Sequence, residues 1–351
     1  MTERTATTSS FVDVVTTTDS STAALSSNDF FFRCANLIIA VVGSAGNALV
    51  LYALVASKQH RKHLLIVNQN VLDLFSSLVL IIINAIKLSN IYLTGRLGYW
   101  LCVTVLGSVL GAWGHVGSIV NLAIITIDRY LKVVHPVWSK KRLGPWVIYS
   151  AMAFAWFVGI VTTTPVVFET SRVIRGKCYS FVFYRSNVVR MATALYYSIS
   201  FYFVIIIIFI FCYGRILVAI RRQANIMAAH SATGSSTAHA QSNRIESNVI
   251  KTMLLVSSLY AIAWLPTNVY SLLISLDLLD PLLDSRFYAT TAVSFLYISA
   301  NPFIYATKFK PAREILRKMI LCNKTQDQPT DIPLETVANC TSDRRTGRDR
   351  N

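Results

Sequence analysis

The sequence predicts an all-α membrane protein in which seven transmembrane helices form one bundle. Seven stretches of more than 20 residues are dominated by apolar side chains, and Asp73 is the only formally charged residue inside them. A helix rises about 1.5 Å per residue, so roughly 20 residues cross the ~30 Å hydrocarbon layer. The stretches are apolar on all sides, whereas a surface helix of a soluble protein carries one apolar stripe. They cover residues 34–57, 64–86, 97–127, 146–168, 191–214, 252–276 and 287–307.

The distribution of basic residues predicts the orientation of the bundle. If the N-terminus lies outside, 23 of the 33 lysine and arginine residues fall in the inner loops and the C-terminal tail. Cytoplasmic loops carry such an excess. The formal net charge of +16 is then explained by contact with anionic membrane lipids and does not require nucleic acid as a partner. We expect a multi-pass protein of the plasma membrane with an extracellular N-terminus and a cytoplasmic C-terminus.

The chain divides into one membrane domain and three shorter segments. Residues 1–30 are rich in serine and threonine and predict an extracellular tail, and residues 31–310 hold the seven helices. Pro311 suits the first position of a helix, and apolar and basic residues then follow at helical spacing. Residues 311–322 therefore predict a short amphipathic helix on the membrane surface, and residues 323–351 predict a cytoplasmic tail.

Two smaller features lie on the predicted inner side. Residues 224–242, between helices five and six, are polar and rich in small side chains, so we expect a loop that packs against no core. Cys322, after helix seven, is a candidate palmitoylation site, and an unmodified cytosolic cysteine is the alternative.

Each predicted helix carries a characteristic residue or short motif. Helix three ends in Asp128-Arg129-Tyr130, helix six contains Trp264-Leu265-Pro266, and helix seven contains Asn301-Pro302-Phe303-Ile304-Tyr305. The other helices carry Asn47 in helix one, Asp73 in Leu72-Asp73-Leu74, Trp156 in helix four and Tyr213 in helix five. In these helices and in this order, the residues resemble the rhodopsin-like (class A) G protein-coupled receptors. The resemblance covers essentially the whole membrane domain.

The resemblance implies coupling to a heterotrimeric G protein at the inner face, with arrestin and receptor kinases as further partners. It implies that Arg129 pairs with Glu246 in the inactive state and is released on activation. An arginine stays charged at any physiological pH and so suits such an exchange of partners. The alternative for Glu246 is a solvated acid near the start of helix six, where the helix dipole favours it.

Two prolines predict points at which helices bend. Pro266 and Pro302 each remove one backbone hydrogen bond, which neighbouring groups must replace inside a membrane. The resemblance implies that helix six moves outward about Trp264 and that Tyr305 takes part in refolding the inner end of helix seven. Simple core packing is the alternative for both aromatic residues.

Asp73 is read first as functional, because an isolated carboxylate at membrane depth is costly. The resemblance implies a pocket for water or a sodium ion that Asp73 forms with Asn47, Ser118 and Asn301. Tyr297 stands where that pocket usually has a small polar ligand, so a charged switch without sodium is the alternative. No other cofactor or metal is expected.

Cysteine positions predict one disulfide on the oxidising side of the membrane. Cys102 lies at the outer end of helix three, and Cys178 lies in the outer loop after helix four. Cys34 also lies near the outer face, so it remains an alternative partner.

The chain departs from the family pattern at several positions. Ile205 stands where helix five usually has a proline, and Tyr260 stands where helix six usually has a phenylalanine, opposite Ile119. Cys102 lies 27 residues before Arg129, two more than the usual spacing. We therefore expect altered packing between helices five and six, and a bulge or shift in the outer part of helix three.

The resemblance excludes two classes of ligand by missing chemistry. A retinal protein needs a lysine at the position of Phe295, and an amine receptor needs a carboxylate at the position of Gly111. The candidate cavity is polar without a fixed anion. It is lined by Asn84, Lys87, Trp113, His115, Tyr197, Thr267, Asn268, Ser271 and Thr291. His115 could contact ligand or respond to pH, but a neutral, hydrogen-bonded packing group is the alternative.

The loops around the predicted mouth carry opposite charges. The loop after helix four contains five basic residues, and the loop before helix seven contains three aspartates. This pattern favours a peptide that carries both signs, such as a neuropeptide, steered by the two loops. The alternative is that the loops pair with each other. A second ligand hypothesis is an acidic lipid or small anion held by Lys87 and Arg190.

The sequence offers no constellation for an enzyme, since it has no metal-ligand spacing, no glycine-rich phosphate loop and no nucleophile with a nearby base. The alternative from another class is a transporter or channel, in which Asp73 would mark an ion path.

Overall fold

The computed structural model describes the backbone of residues 22–89, 91–181, 183–230, 237–279 and 285–308. It describes the side chains of residues 30–89, 91–181, 183–223, 250–279 and 289–304.

Seven long helical segments make up most of this described part, and they correspond to the seven predicted stretches. Two of them, α3 and α5, contain a π-helical interruption. The segments are α1 Thr22–Ala56, α2 Leu64–Leu88, α3 Gly95–Leu101 continued by Cys102–Leu106 and Val109–Val134, α4 Pro145–Thr170, α5 Asn187–Ser198 continued by Ile199–Phe203 and Val204–His230, α6 Thr237–Ser275 and α7 Ser285–Lys308. A short helix, Pro136–Arg142, joins α3 to α4.

Six helices of the described part are long and apolar enough to cross a membrane, in agreement with the sequence prediction. The seventh predicted span falls on α7, which has 24 residues of helix. Helix boundaries differ from the prediction at two places. Residues 22–30, expected in the extracellular tail, already belong to α1. Residues 224–230 and 237–242, expected in a loop, continue α5 and α6, because their five alanines favour helix.

The predicted bulge in α3 is present just after its outer turn. Cys102–Leu106 is π-helical, and Ser108 has a positive φ of 66°. Gly107 lies between the π segment and Ser108. A Cβ at this glycine would lie 2.7 Å from the carbonyl oxygen of Cys102, so a larger residue would clash with the backbone. A π-helical turn holds one more residue than an α-helical turn. The bulge therefore helps to accommodate the unusually long sequence spacing of 27 residues between Cys102 and Arg129.

A second π segment, Ile199–Phe203, interrupts α5 although no proline is present there. The amide of Val204 donates to the carbonyl of Ile199, five residues earlier. The bulge expected from a proline therefore forms in this chain without one.

A β-hairpin follows α4. Strands β1, Arg172–Ile174, and β2, Lys177–Tyr179, pair antiparallel with Val173 opposite Cys178. Arg175 and Gly176 both have positive φ, as a two-residue hairpin turn requires. The predicted disulfide joins Cys178 to Cys102 and fixes β2 to the outer end of α3. The alternative partner Cys34 is a free thiol.

Candidate functional site

The carboxylate of Asp73 is the centre of a buried polar site. Asp73 is fully buried, with 0% of its surface exposed. Ser118 of α3 donates to Oδ1 at 2.6 Å, and Asn301 of α7 donates to Oδ2 at 2.9 Å. A buried charge is tolerable only when its oxygens are hydrogen-bonded. The structure thus brings together Asp73, Ser118 and Asn301, three of the four residues predicted to share a pocket, and links α2, α3 and α7 through them.

Gln69 is a member of this site that the sequence reasoning missed. It lies one turn before Asp73 on α2, so both side chains share one face of the helix. Its amide nitrogen is 2.5 Å from Oγ of Ser118 and 3.4 Å from both carboxylate oxygens of Asp73. The i, i+4 spacing of a glutamine and an aspartate on one apolar helix was the signal that could have revealed it.

The hydrogen bonds continue from Gln69 toward α4. Asn121 of α3 donates to the Gln69 side-chain oxygen at 2.8 Å and to the carbonyl of Leu65 at 3.0 Å. Asn68 donates to the oxygen of Asn121 at 2.9 Å, and the indole of Trp156 donates to Asn68 at 3.2 Å. One connected set of polar side chains therefore spans four helices. We call it the amide network, and its members are Asn68, Gln69, Asp73, Ser118, Asn121, Trp156 and Asn301.

Asn47, the fourth predicted pocket residue, donates hydrogen bonds to backbone carbonyls and not to Asp73. Its amide donates to the carbonyls of Gly43 at 2.9 Å and Ile298 at 3.3 Å. Ile298 lies four residues before Pro302, so its carbonyl is the one deprived of a helical donor by the proline. Asn47 thus replaces a hydrogen bond that Pro302 removes and joins α1 to α7. A Cβ at the neighbouring Gly46 would lie 2.9 Å from the ring of Pro302, so only glycine permits this approach.

The charged end of α3 has its ion pairs arranged around Asp128. Lys132 lies 2.8 Å from one oxygen of Asp128, and Nε of Arg129 lies 3.8 Å from the other. The Arg129 side chain is 18% exposed, and its Nε is buried without a hydrogen bond in the described part of the chain. Tyr130 is held differently, with its hydroxyl 3.3 Å from Nε2 of His135.

His63, just before α2, faces the same charged end. The pKa of His63 is lowered to about 4, mainly by burial and then by the positive charges of Arg129, Lys132 and Lys62, while Asp128 opposes this shift. His63 is therefore uncharged at neutral pH, and it adds no positive charge to those of Arg129, Lys132 and Lys62.

Tyr213 connects three helices at this level. Its hydroxyl lies 3.2 Å from Oγ1 of Thr126 on α3 and 3.1 Å from Oγ of Ser257 on α6. Tyr213 is buried, so this contact ties α5 to both neighbours in the conformation described.

Two tyrosines join α5 to α6 at the π segment. The hydroxyl of Tyr260 donates to the carbonyl of Phe201, which lies in that segment. In the opposite direction, Tyr202 donates to the carbonyl of Ala261 at 3.0 Å. We call this reciprocal pair the tyrosine clamp. The clamp explains why Tyr260 replaces the usual phenylalanine. The hydroxyl of Tyr260 donates to a carbonyl of the π segment, which forms here although Ile205 stands in place of the usual proline.

Trp264 lies above the clamp among aromatic side chains. Its ring centroid is 6.2 Å from Tyr260 and 6.3 Å from His115, and Phe295 lies 5.1 Å from His115. Nδ1 of His115 donates to the carbonyl of Gly111 at 2.6 Å, which leaves Nε2 as an acceptor. Nε2 of His115 and Nε1 of Trp264 are both buried without a partner in the described part.

Among the other predicted cavity residues, Thr267 bonds to a neighbouring helix, whereas Asn268 and Asn84 bond within their own helices. Thr267 contacts Ser294 of α7 at 2.6 Å and donates to the carbonyl of Thr290 at 2.8 Å. Asn268 donates to the carbonyl of Trp264, and Asn84 donates to the carbonyl of Leu80. Lys87, Ser271 and Thr291 are partly buried.

Two predicted cavity residues are turned toward α4 instead. The indole of Trp113 donates to Thr164 at 2.9 Å, and the hydroxyl of Tyr197 donates to the carbonyl of Thr162 at 2.8 Å. Both polar groups join their helices to α4, and the prediction that these residues line the ligand cavity stays a prediction.

The mouth of the bundle contains an ion pair between the two oppositely charged loops. Arg190 pairs with Asp277, and Asn187 donates to the same aspartate at 3.5 Å. The side chain of Arg190 is only 19% exposed, against 62% for Asp277. Burial raises the pKa of the nearby Tyr184 to about 12, although Arg190 opposes this shift. The loops therefore satisfy each other at this position, as the alternative reading proposed.

Several predictions lie outside the described residues. They concern the side chains of Glu246 and Tyr305, Cys322, the amphipathic helix 311–322 and the tail 323–351. Pro266 and Pro302 both lie inside continuous helices.

Known proteins resemble this chain along most of its length. Residues 46–305 match the family described as "7 transmembrane receptor (rhodopsin family)". Somatostatin receptor type 5 of Bos taurus is 26% identical over 297 residues, which cover 82% of this chain and 75% of the relative. C-C chemokine receptor type 8 of Mus musculus is 27% identical over 291 residues, which cover 78% of this chain and 75% of the relative. The crystal structure of squid rhodopsin is 20% identical and covers 87% of this chain and 92% of its own, with a TM-score of 0.68.

Proposed function

The chain belongs to the rhodopsin family of seven-transmembrane receptors, and we propose that it binds an extracellular peptide and activates heterotrimeric G proteins at its inner face. This membership favours a receptor over the enzyme and over the transporter or channel considered from the sequence. The proposed orientation has the N-terminus outside the cell and the protein in the plasma membrane.

One observation carries the coupling proposal, and it concerns Arg129. Its neighbour Asp128 is engaged by Lys132 at 2.8 Å, so the nearest acid is shared between two cations. The guanidinium therefore keeps donors for a further partner. An arginine fork at the end of a helix suits either an acid of α6 or the backbone carbonyls of an incoming protein. We infer that Arg129 exchanges Glu246 for the G protein.

Nucleotide exchange on added G proteins, in membranes that contain the receptor, tests this proposal. Arg129→Ala should reduce ligand-stimulated exchange at least tenfold, which corresponds to about 1.4 kcal/mol of lost interaction. Arg142→Ala is the matched control, because Arg142 is an exposed arginine at the same end of the bundle. If both variants behave like wild type at equal surface expression, the coupling role is wrong.

Glu246→Ala tests the proposed lock. Removing the acid frees Arg129 at a switching interface, so ligand-independent exchange should rise. The expected result is a several-fold increase in basal exchange, with little change in Arg129→Ala/Glu246→Ala. Unchanged basal exchange in the single variant contradicts the lock while leaving G protein coupling intact.

Several observations support a peptide as the ligand. Two of the relatives are named as receptors for somatostatin and for C-C chemokines, which are polypeptides. The squid relative is a rhodopsin, but Phe295 stands at the position of the retinal lysine and packs 5.1 Å from His115. The centre of the bundle offers an acceptor on His115 and a donor on Trp264, a combination that suits the amide or hydroxyl groups of a peptide side chain.

The ion pair at the mouth of the bundle favours a peptide over a small anion as the ligand. An acidic lipid or small anion held by Lys87 and Arg190 requires both cations, yet Arg190 is already paired with Asp277. A peptide that carries both signs can replace the two halves of this pair at once. A peptide agonist found by library screening against a second-messenger readout should lose potency in both Arg190→Ala and Asp277→Ala. A ligand that gains potency in Asp277→Ala and loses it in Arg190→Ala is an anion, and overturns the peptide proposal.

A further inference from the structure

The family pattern implies a sodium ion beside Asp73, and the residues present in this chain fit that ion poorly. Ser118 and Asn301 donate to the two oxygens of Asp73 at 2.6 and 2.9 Å, and Asn47 bonds to backbone carbonyls instead. The hydrogens of Ser118 and Asn301 already face the carboxylate. An ion at this place would have to compete with a set of donors that satisfies the carboxylate without it.

The third donor is the amide of Gln69, and its position matters most. Its nitrogen lies 2.5 Å from Oγ of Ser118 and 3.4 Å from each oxygen of Asp73. These three oxygens are the ones that would coordinate an ion shared between α2 and α3. The N–H groups of this amide therefore present partial positive charge to the same oxygens that a bound cation would contact.

The orientation of this amide is fixed by Asn121. The Asn121 side chain donates to the oxygen of Gln69 at 2.8 Å, so the Gln69 nitrogen must be the atom that faces Asp73 and Ser118. Asn121 is itself held by Asn68 and by the carbonyl of Leu65. All of these residues are buried, so the arrangement is shielded from water and its hydrogen bonds are strong.

A bulky residue precedes Asn301 on the same helix. Tyr297 lies one turn before Asn301 on α7 and therefore shares its face. It is 1% exposed, and its ring packs 5.6 Å from Tyr260. A tyrosine therefore stands where the family pattern usually has a small polar ligand.

We propose that Gln69 is an internal substitute for the sodium ion, so that this receptor holds Asp73 in its resting arrangement without responding to sodium. Gln69 acts as a positioning residue, since its amide bridges α2 and α3 in the way an ion would. A neutral bridge built into the chain makes the resting conformation independent of the salt that surrounds the cell.

The melting temperature of the detergent-purified, full-length receptor tests the proposal with sodium alone as the probe. Wild type should melt at the same temperature in sodium chloride and in choline chloride at equal ionic strength, about 0.15 M. Gln69→Met has nearly the same shape and no donor, so it should gain a saturable, sodium-specific rise of about 2 °C or more. Adding Asp73→Asn to Gln69→Met should remove this rise.

Two results overturn the proposal. One is a sodium-specific rise in wild type that Asp73→Asn abolishes. The other is a folded Gln69→Met protein whose melting temperature is the same in both salts. If Gln69→Met does not fold, Gln69→Leu takes its place, and the wild-type comparison stands by itself. The measurement needs neither ligand nor G protein, so its outcome is independent of the proposed coupling.

Discussion

Between α2 and α3, polar side chains bond mostly to other polar side chains, whereas at the π segment of α5 two tyrosine hydroxyls bond to backbone carbonyls across the contact with α6. The amide network contains interhelical bonds of 2.5 to 3.2 Å that reach from Trp156 to Asn301. The tyrosine clamp has two hydroxyl bonds, set among the rings of Phe209, Tyr213 and Trp264. Both regions are buried, so the difference lies in their chemistry and not in their exposure to water.

This difference indicates which half of the bundle is built to move. A network of fixed donors and acceptors allows one register between helices, because a shift of one residue leaves several buried groups without partners. Aromatic rings and a carbonyl at a bulge tolerate small displacements, since packing changes gradually with distance. Helix α6 also contains Pro266. We therefore expect α2, α3, α4 and α7 to form the rigid part and α6 to be the moving element.

One large effect is expected from Asn121→Leu in the amide network. This change leaves the amide of Asn68 and the oxygen of Gln69 buried without a partner. Single interhelical bonds in membranes contribute only about 0.6 kcal/mol, but orphaned buried groups cost about 1 to 3 kcal/mol each. We expect a loss of about 2 to 4 kcal/mol, seen as a lower melting temperature of the purified receptor.

Ser76→Ala is the control for that prediction. Its hydroxyl donates to the carbonyl of Leu72 within α2, so no interhelical bond is lost and the change should stay below about 1 kcal/mol. Equal losses in Asn121→Leu and Ser76→Ala would remove the claim that the network fixes the register between helices.

The next effect concerns proline in α5. Ile207→Pro places a proline in the regular helix after the π segment, which should cost about 3 kcal/mol or more. Ile205→Pro lies four residues after Phe201, whose carbonyl already accepts the hydroxyl of Tyr260. It should therefore cost less than about 1 kcal/mol. The comparison is made by thermal melting, and an Ile205→Pro protein as unstable as Ile207→Pro would show that the bulge is not prepared for proline.

A smaller effect is expected when the clamp loses one hydroxyl. Tyr260→Phe leaves the Phe201 carbonyl without its donor, at a cost of about 1 kcal/mol, and the loosened contact should raise ligand-independent nucleotide exchange. Tyr196→Phe is the control, because that ring is 45% exposed on α5. A Tyr260→Phe receptor with wild-type melting and basal exchange would mean that ring packing alone joins α5 to α6.

A pH dependence of stability is also expected at the charged end of α3, and it is smallest near neutral pH. The pKa of His63 is lowered from 6.5 to about 4, so the unfolded chain binds a proton at higher pH than the folded receptor. Stability should therefore fall as pH drops from about 6.5 toward 4. His63→Gln should flatten this part of the profile of melting temperature against pH. An unchanged profile would assign the acid sensitivity to other groups.

Much of the architecture is determined by local sequence. The seven helices follow from apolar length, because backbone groups in a membrane must be satisfied within the segment. The disulfide partner, the bulge in outer α3 and the contact of Asp73 with Ser118 and Asn301 also agree with the predictions. Each of these depended on residue type and spacing along one helix, or on motifs in the order that the family shares.

Only the tertiary structure decided which polar atoms meet. Gln69 and Asn121 look like ordinary polar residues in the sequence, and they become the centre of a network because α2 and α3 pack face to face. Asn47 bonds to the carbonyl that Pro302 leaves without a helical donor, and the polar groups of Trp113 and Tyr197 bond to α4. A hydrogen bond between helices depends on their rotation and depth, which no single helix encodes. The sequence determined the helices and their buried charge, and the packing determined which donors satisfy that charge.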